Sequence, residues 1–247
     1  MINNFPLIDI YKYPKLNSEL SSQMLYGEKF KIIYKKGNWL RIKTNYDNYT
    51  GYIQNKKFLS NFEPRFKVSK IKSQIFVSKN QKFKKINKFL YFGSRVTKIR
   101  ESKKFIEFEI NKWIKKKDLK KINYFEKNYS KIFKLFLNSK YLWGGKTADG
   151  IDCSSLVQIY FHYNKIFFPR DTKDQIKYCK KKNKKNLLKG DVIFWKGHVG
   201  ICLNRFEFIH AYGPRKKVLI MPTNFTIQHI KKTAKLIVKK VSNINTY

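Results

Sequence analysis

The stretch Gly150-Ile151-Asp152-Cys153-Ser154-Ser155-Leu156-Val157 decides the fold of the second half of this 247-residue chain. Asp152 is a favourable N-cap, because its carboxylate can accept the free backbone N–H groups of a helix's first turn. The stretch therefore predicts a helix from Asp152 to Asn164 with Cys153 at its start. The partial positive charge at a helix N-terminus favours a thiolate there. Cys153 is thus a candidate nucleophile; the alternative is a buried apolar cysteine that begins a helix.

Two downstream histidines are candidates for the base that a cysteine nucleophile needs. His198 begins one predicted strand and His210 ends the next. If Leu203-Asn204-Arg205 is a three-residue hairpin loop, His198 faces His210 and both imidazoles lie on one face of the sheet. A two-residue loop would place them on opposite faces. The first arrangement indicates a nucleophile, a base and a third group that orients the base.

The elements around these residues predict a mixed α and β domain. An amphipathic helix that ends near Asn138 is predicted by apolar residues at helical spacing, namely Tyr129, Ile132, Phe133 and Phe136. From Asp191 onward we predict strands at 192–195, 199–203, 206–210, 218–221 and 236–241.

The first half predicts short strands with a weak internal repeat. Segments 30–33 and 39–42 alternate with period two around the turn Lys36-Gly37-Asn38. Two further segments recur later in the chain. Tyr26-Gly27-Glu28-Lys29-Phe30 is similar to Phe92-Gly93-Ser94-Arg95-Val96, and Gly51-Tyr52-Ile53 is similar to Lys112-Trp113-Ile114. The modules resemble bacterial SH3-like domains; the alternative is chance similarity between β-rich stretches. We expect barrels at 1–61 and 62–122, followed by a third domain at 123–247.

The net charge of +39 arises from 55 Lys and Arg against 16 Asp and Glu. The lysines are spread along the whole chain, which favours a compositional origin and no specific nucleic-acid partner. The alternative is a polyanion partner such as nucleic acid or an anionic wall polymer.

Other sequence features bear on location and cofactors. No apolar run approaches the roughly 20 residues of a membrane span, and residues 1–13 lack the apolar core of a signal peptide. We expect a cytoplasmic protein, with a periplasmic or extracellular location as the alternative. The three cysteines, Cys153, Cys179 and Cys202, are expected to be free thiols, and we predict no metal or cofactor.

Six motifs occur in the order found in the NlpC family of cell-wall cysteine peptidases. They are Tyr141-Leu142-Trp143-Gly144-Gly145, the stretch 150–157, Pro169-Arg170-Asp171-Thr172 with Gln175, Lys189-Gly190-Asp191-Val192-Ile193-Phe194, Gly197-His198-Val199-Gly200-Ile201 and Ile209-His210-Ala211. Residues 125–240 therefore resemble this family. The resemblance implies a papain-like α+β domain, with the cysteine helix packed on an antiparallel sheet, behind two small SH3-like β-barrels.

The resemblance also implies roles for individual residues. Cys153 would attack the carbonyl of a γ-D-glutamyl bond to a diamino acid, usually diaminopimelate or lysine, in a murein peptide. His198 would take the thiol proton and give it to the leaving amine. His210 would hold the ring of His198, and Tyr141 would assist near the oxyanion together with backbone N–H groups at the helix start.

A substrate pocket is implied as well. Asp152 and Tyr49 match residues that hold the free amine of an N-terminal L-alanine, where a carboxylate and an aromatic face attract an ammonium group. Ser154 and Thr172 match residues that contact the glutamyl part. Trp143 either lines the cleft or packs beneath it.

Three functions compete at this point. The first is a cytoplasmic γ-D-glutamyl–diamino acid endopeptidase that degrades recovered murein peptides. The second is an exported hydrolase that cuts intact peptidoglycan and uses the barrels as wall-binding modules. The third is a non-catalytic wall- or polyanion-binding protein.

Overall fold

Antiparallel strands dominate the first part of the computed structural model, which describes residues 1–80, 82–183 and 186–246. The chain divides into two units, Met1–Phe125 and Glu126–Tyr247. Strands of the first unit are β1 (Leu7–Tyr11), β2 (Leu20–Leu25), β3 (Phe30–Lys36), β4 (Trp39–Thr44), β5 (Thr50–Gln54), β6 (Phe66–Val68), β7 (Lys72–Lys79), β8 (Lys82–Tyr91), β9 (Arg95–Val96), β10 (Arg100–Glu101), β11 (Phe105–Glu109), β12 (Lys112–Lys115) and β13 (Leu119–Lys121). A short 3₁₀ helix, Lys116–Asp118, precedes β13.

The predicted internal repeat is visible as a shared strand order. One five-stranded sheet has the order β2-β1-β5-β4-β3, and the other has β8-β7-β12-β11-β10. The recurring segments at 51–53 and 112–114 lie on the equivalent central strands β5 and β12. Gly27 and Gly93, which also correspond, both adopt the left-handed backbone, with φ of +80° and +86°. Glycine takes this conformation without the steric penalty of a Cβ atom.

The hairpin β3–β4 was predicted, but its turn is shorter than expected. Lys36 pairs directly with Trp39, so the turn has two residues rather than three. Gly37 in this turn has φ of +55°. Two-residue hairpin turns favour this backbone region because it matches the twist of the strands.

The first repeat has an apolar cluster of its own, whereas the apolar core of the second repeat extends into the first. Ile2 and Tyr26, from the first repeat, belong to the same buried cluster as Val68, Ile75 and Ile114 of the second. The Tyr26 hydroxyl lies 3.3 Å from the Glu109 carboxylate, and its carbonyl accepts a hydrogen bond from the Arg95 backbone N–H at 2.8 Å. The predicted boundary between the barrels therefore lies within one continuous core.

The second unit combines helices with one five-stranded antiparallel sheet. Its elements are α1 (Tyr129–Leu135), β14 (Lys146–Thr147), β15 (Gly150–Ile151), α2 (Cys153–Tyr163), α3 (Thr172–Tyr178), β16 (Asp191–Trp195), β17 (His198–Cys202), β18 (Glu207–Tyr212), β19 (Lys217–Pro222), α4 (Thr223–Ala234) and β20 (Lys240–Asn243), with 3₁₀ helices at Gly213–Arg215 and Ile244–Thr246. The sheet order is β19-β18-β17-β16-β20, and β14 pairs with β15 in a small ribbon. Helix α2 packs against β17, β18, α1 and α3, so all its side chains are buried.

Most of the predicted elements of this unit are present, and three differ. Helices α3 and α4 were not predicted, and the strand predicted at 236–241 forms only at Lys240–Asn243. Helix α4 buries only Thr223, Thr226 and Ile230, which gives a weak periodic signal because two of these side chains are polar. Among the described residues, no helix combines the length and apolar character needed to cross a membrane.

Candidate active site

Helix α2 begins at Cys153, as the N-cap pattern predicts. The Asp152 backbone is extended, with φ of −95° and ψ of 175°, and its carboxylate accepts the Ser155 N–H at 2.7 Å. This bond satisfies one of the free N–H groups of the first turn. Cys153 is only 4% exposed, so its thiol sits inside the domain.

The thiol of Cys153 lies against the backbone on both sides of His198. Its Sγ atom is 4.0 Å from the Gly197 carbonyl oxygen and accepts the backbone N–H of Val199. The Thr172 hydroxyl is also 4.0 Å from the sulfur. The helix start and the start of β17 therefore meet at this sulfur.

His198 and His210 form a hydrogen-bonded pair on one face of the sheet. Nε2 of His198 is 2.9 Å from Nδ1 of His210. The predicted three-residue loop is wrong, because Cys202 pairs with Phe208 and the strands are joined by residues 203–206. The register differs from the predicted one by two residues, and a shift of two leaves every side chain on the same face.

Gly200 makes room for this histidine pair. A Cβ atom at this position would lie 2.4 Å from the Phe208 ring and 2.8 Å from Cβ of His210. Both distances are well inside van der Waals contact. A larger residue at position 200 would therefore displace the ring that contacts His198.

Burial controls the protonation of the reacting groups. Burial, assisted by the Asp152 carboxylate, raises the pKa of the Cys153 thiol to about 11. The Val199 N–H, the Thr172 hydroxyl and Arg170 act in the opposite direction and lower this pKa. Desolvation therefore opposes the thiolate that the helix N-terminus is predicted to favour. His198 is partly buried, and burial lowers the pKa of its imidazole to about 4. The resting pair at neutral pH is a thiol and a neutral imidazole.

The ring of His210 is neutral for the same reason. Burial, together with smaller contributions from the neighbouring His198 and His229, lowers its pKa to about 2. Its ring stacks on Tyr212, with centroids 4.8 Å apart and planes 13° from parallel. A neutral, fixed His210 can orient His198 without competing for its proton.

Arg170 is a buried partner that the sequence reasoning did not single out. Its Nη1 and Nη2 atoms donate to the two carboxylate oxygens of Asp152 at 3.1 and 2.7 Å, and both side chains are under 8% exposed. Asp152 also accepts bonds from the Ser154 hydroxyl and the backbone N–H groups of Gly144 and Ser155. Five donors thus surround this carboxylate, which has about four acceptor sites.

One of the six sequence motifs contains the arginine of this ion pair. Arg170 follows the apolar stretch Ile166-Phe167-Phe168 and Pro169, and a buried arginine needs a carboxylate. The sequence does not say which of the nearby acids provides it.

Two family models match the chain in the expected order. The NlpC/P60 family matches residues 138–235, which contain the cysteine helix and the histidine hairpin. The bacterial dipeptidyl-peptidase Sh3 domain matches residues 10–58. Residues 138–235 form an NlpC/P60 domain. The predicted papain-like α+β fold behind SH3-like modules is confirmed.

Known proteins similar to this chain agree with that identification. A γ-D-glutamyl-L-lysine dipeptidyl-peptidase of Bacillus cereus is 24% identical over 246 residues, covering 84% of this chain and 72% of the relative. Dipeptidyl-peptidase 6 of Lysinibacillus sphaericus is 24% identical over 233 residues, covering 83% and 84%. The crystal structure of an NlpC/P60 protein from Bacillus cereus has a TM-score of 0.79 at 20% identity, covering 90% of this chain and 94% of that structure. The chain therefore contains a peptidase domain of the NlpC/P60 family.

The other predicted residues of the NlpC/P60 domain have different surroundings. Burial raises the pKa of the Tyr141 hydroxyl, with further contributions from Cys153 and Asp152, so this hydroxyl lies within electrostatic range of the thiol. Thr172 contacts the thiol directly, and the Ser154 hydroxyl bridges Asp152 and Arg170. Trp143 is 56% exposed, which excludes packing beneath the cleft.

Tyr49 belongs to the first unit. Its hydroxyl donates to the Ser21 carbonyl at 3.3 Å, and its ring packs against the apolar cluster of the first sheet. Its assignment to the substrate amine stays a prediction.

The remaining cysteines lie outside this constellation. Cys179 and Cys202 are buried free thiols, and burial raises the pKa of Cys202 to about 12. Within the described parts of the chain, His, Cys, Asp and Glu side chains form no group suited to hold a metal ion.

Proposed function

We propose that the NlpC/P60 domain hydrolyses the γ-D-glutamyl–diamino acid bond of short murein peptides, with Cys153 as nucleophile and His198 as base. The observation that carries this proposal is the contact of the Cys153 sulfur with the backbone on either side of His198, whose ring is hydrogen-bonded to His210. The name of the Bacillus cereus relative, a γ-D-glutamyl-L-lysine dipeptidyl-peptidase, supports the bond class, and that of dipeptidyl-peptidase 6 supports release of a dipeptide.

The first step follows from the neutral resting state. Nε2 of His198 faces His210, so Nδ1 is the ring nitrogen left for the thiol. As the sulfur attacks the carbonyl carbon, its proton passes to Nδ1, and the C=O bond becomes an oxyanion. Because the pKa of the thiol is about 11 and that of the imidazole about 4, the proton transfer must accompany the attack rather than precede it.

The second step releases the diamino acid. Its amine takes the proton from His198 and leaves with the electrons of the C–N bond, which produces a thioester with Cys153. Water, deprotonated by the same imidazole, then hydrolyses the thioester. We assign the Tyr141 hydroxyl and a backbone N–H at the start of α2 to the oxyanion of both steps, because the Tyr141 hydroxyl lies within electrostatic range of the thiol.

We assign Thr172 and Ser154 to binding of the glutamyl part of the substrate. Trp143 is assigned to an exposed wall of the cleft. Thr172 touches the thiol and therefore stands next to any bound carbonyl group. Asp152 already accepts five hydrogen bonds, so a substrate ammonium would have to share it with Arg170. Recognition of a free amine is therefore proposed for Asp152.

The deciding experiment compares five substrates under one set of conditions. They are L-Ala-γ-D-Glu-diaminopimelate, its L-lysine counterpart, the N-acetylated form of each, and intact sacculi. We expect cleavage of at least one free peptide with release of L-Ala-D-Glu, and a much higher KM after acetylation. Equal cleavage of acetylated peptides or of sacculi would instead favour the exported wall hydrolase. No cleavage of any of them would overturn the proposed function.

We further propose that the enzyme acts in the cytoplasm on recovered peptides. A requirement for a free N-terminal alanine is the property that fits this role, since stems in the intact wall have a blocked amine. Fractionation of cells with an antibody against the chain tests the location directly.

A further inference from the structure

The far side of the His210 ring faces a methionine. Nε2 of His210 lies 3.4 Å from the Sδ atom of Met221, a residue of the neighbouring strand β19. Nδ1 of the same ring bonds His198, so both nitrogens of His210 have a partner. His210 is 0% exposed, and bulk water cannot serve as an alternative partner.

The chemistry of a thioether gives this contact a direction. A methionine sulfur can accept a hydrogen bond weakly but has no hydrogen to donate. A hydrogen bond between Nε2 and Sδ therefore requires the proton on Nε2 of His210. The same ring, being neutral, then has an unprotonated Nδ1, which can only accept.

The position of the proton on His210 also determines the position of the proton on His198. An accepting Nδ1 on His210 requires Nε2–H on His198, and a neutral His198 with its proton on Nε2 has a free lone pair on Nδ1. This is the nitrogen that the proposed mechanism needs as a base toward Cys153. The reverse order of protons would turn an N–H group toward the thiol and block the transfer.

We propose that Met221 is a positioning residue: its sulfur, which accepts but cannot donate, holds buried His210 in the Nε2–H form and so keeps the basic nitrogen of His198 directed at Cys153. The inference about catalysis rests on the proposed function, whereas the proton arrangement is a property of the free protein. Tyr212, stacked on His210 at 4.8 Å, keeps the ring in the plane that both hydrogen bonds require.

The first test is NMR of the histidine ring nitrogens in protein labelled with ¹⁵N at histidine. We expect Nε2 of His210 to be protonated and Nδ1 to be unprotonated in the free protein at neutral pH. Met221→Leu removes the acceptor at similar volume, so a measurable fraction of the Nδ1–H form should appear. Ile220→Leu, on the same strand, is the matched control and should leave the His210 signals unchanged.

The second test is kinetic. Met221→Leu should lower kcat about three- to tenfold, the range set by one modest hydrogen bond, with little change in KM. Should this variant fold poorly, protein made with norleucine replaces sulfur by a methylene at the same length, and the other two methionines, Met1 and Met24, lie in the first unit. The norleucine protein should show the same two changes.

Two results would overturn the inference. One is an Nδ1–H form of His210 in the unaltered protein. The other is a Met221→Leu or norleucine protein in which either the His210 tautomer or kcat is unchanged. Because the NMR measurement needs no substrate, it separates the two proposals: a protein with the expected dependence on Met221 that cleaves no murein peptide would overturn only the proposed function.

Discussion

Arg170 donates two hydrogen bonds to the carboxylate of Asp152, the residue immediately before Cys153, which begins helix α2. The pair is buried, and Asp152 also caps the helix that holds Cys153. Stability of the fold and position of the thiol therefore depend on the same carboxylate.

We predict that Arg170→Leu lowers the free energy of unfolding of the second unit by about 3–5 kcal/mol, because it leaves a buried carboxylate without its counter-ion. Chemical denaturation followed by tryptophan fluorescence measures this change. Lys131→Ala is the control, since Lys131 is 64% exposed in its pair with Glu126 and should contribute less than about 1 kcal/mol. An Arg170→Leu protein as stable as the control would contradict the account of Asp152 given above.

Cys153→Ala and His198→Ala should each reduce turnover of the cleaved peptide by about 10⁴-fold or more while the protein stays folded. Steady-state kinetics and circular dichroism measure the two properties. Cys179→Ala is the control and should keep its activity, because this thiol lies outside the site. Loss of folding in the first two variants would point to structural roles, and activity that survives iodoacetamide would exclude the cysteine mechanism.

The pH dependence of thiol alkylation tests the resting protonation state. The pKa of Cys153 is raised to about 11, so its reaction with iodoacetamide should be slow at pH 7 and rise about tenfold per pH unit toward pH 10. The measurement uses the Cys179→Ala/Cys202→Ala variant, in which Cys153 is the one thiol left of three. A rate that is already high and constant from pH 6 upward would show a preformed thiolate–imidazolium pair instead.

The histidine pair should make the second unit sensitive to acid. The pKa values of His198 and His210 are lowered to about 4 and about 2, below the value of about 6.5 for an unfolded chain. At pH values between the folded and the unfolded pKa of each ring, the unfolded state binds more protons than the folded state. The free energy of unfolding therefore falls as the pH falls below about 6.5. At pH 5 each ring should remove about 2 kcal/mol relative to neutral pH.

Denaturation at pH 7 and pH 5 measures this loss. His210→Gln removes one titrating ring and should show roughly half the loss attributed to the pair. His229, which lies near His210 on α4, is retained in both proteins so that its own titration cancels in the comparison. An identical pH dependence in both proteins would contradict the assignment.

The sequence predicts the parts of the site that depend on local chain geometry. The capped helix start at Asp152 and Cys153 is a short-range pattern, and it was read correctly. The common face of His198 and His210 was also correct although the loop length was not, because alternation along a strand survives a shift of two residues.

The missed features depend on contacts between distant parts of the chain. The pairing of Arg170 with Asp152 joins residues 18 positions apart in sequence, and nothing local selects this acid over its neighbours. The raised pKa of Cys153 likewise depends on how completely the folded domain buries the sulfur, which the helix start alone does not reveal. Helix α4 was missed because its buried face has few apolar residues.

The shared interior of the two SH3-like repeats has a consequence for how this architecture can be recombined. Ile2 and Tyr26 close the interior of the second repeat, and the Tyr26 hydroxyl reaches Glu109 across the seam. Removing or transplanting either repeat alone would expose buried apolar side chains of the other to water. In gene fusions or shuffled chimaeras the tandem should therefore be inherited whole, as one cassette.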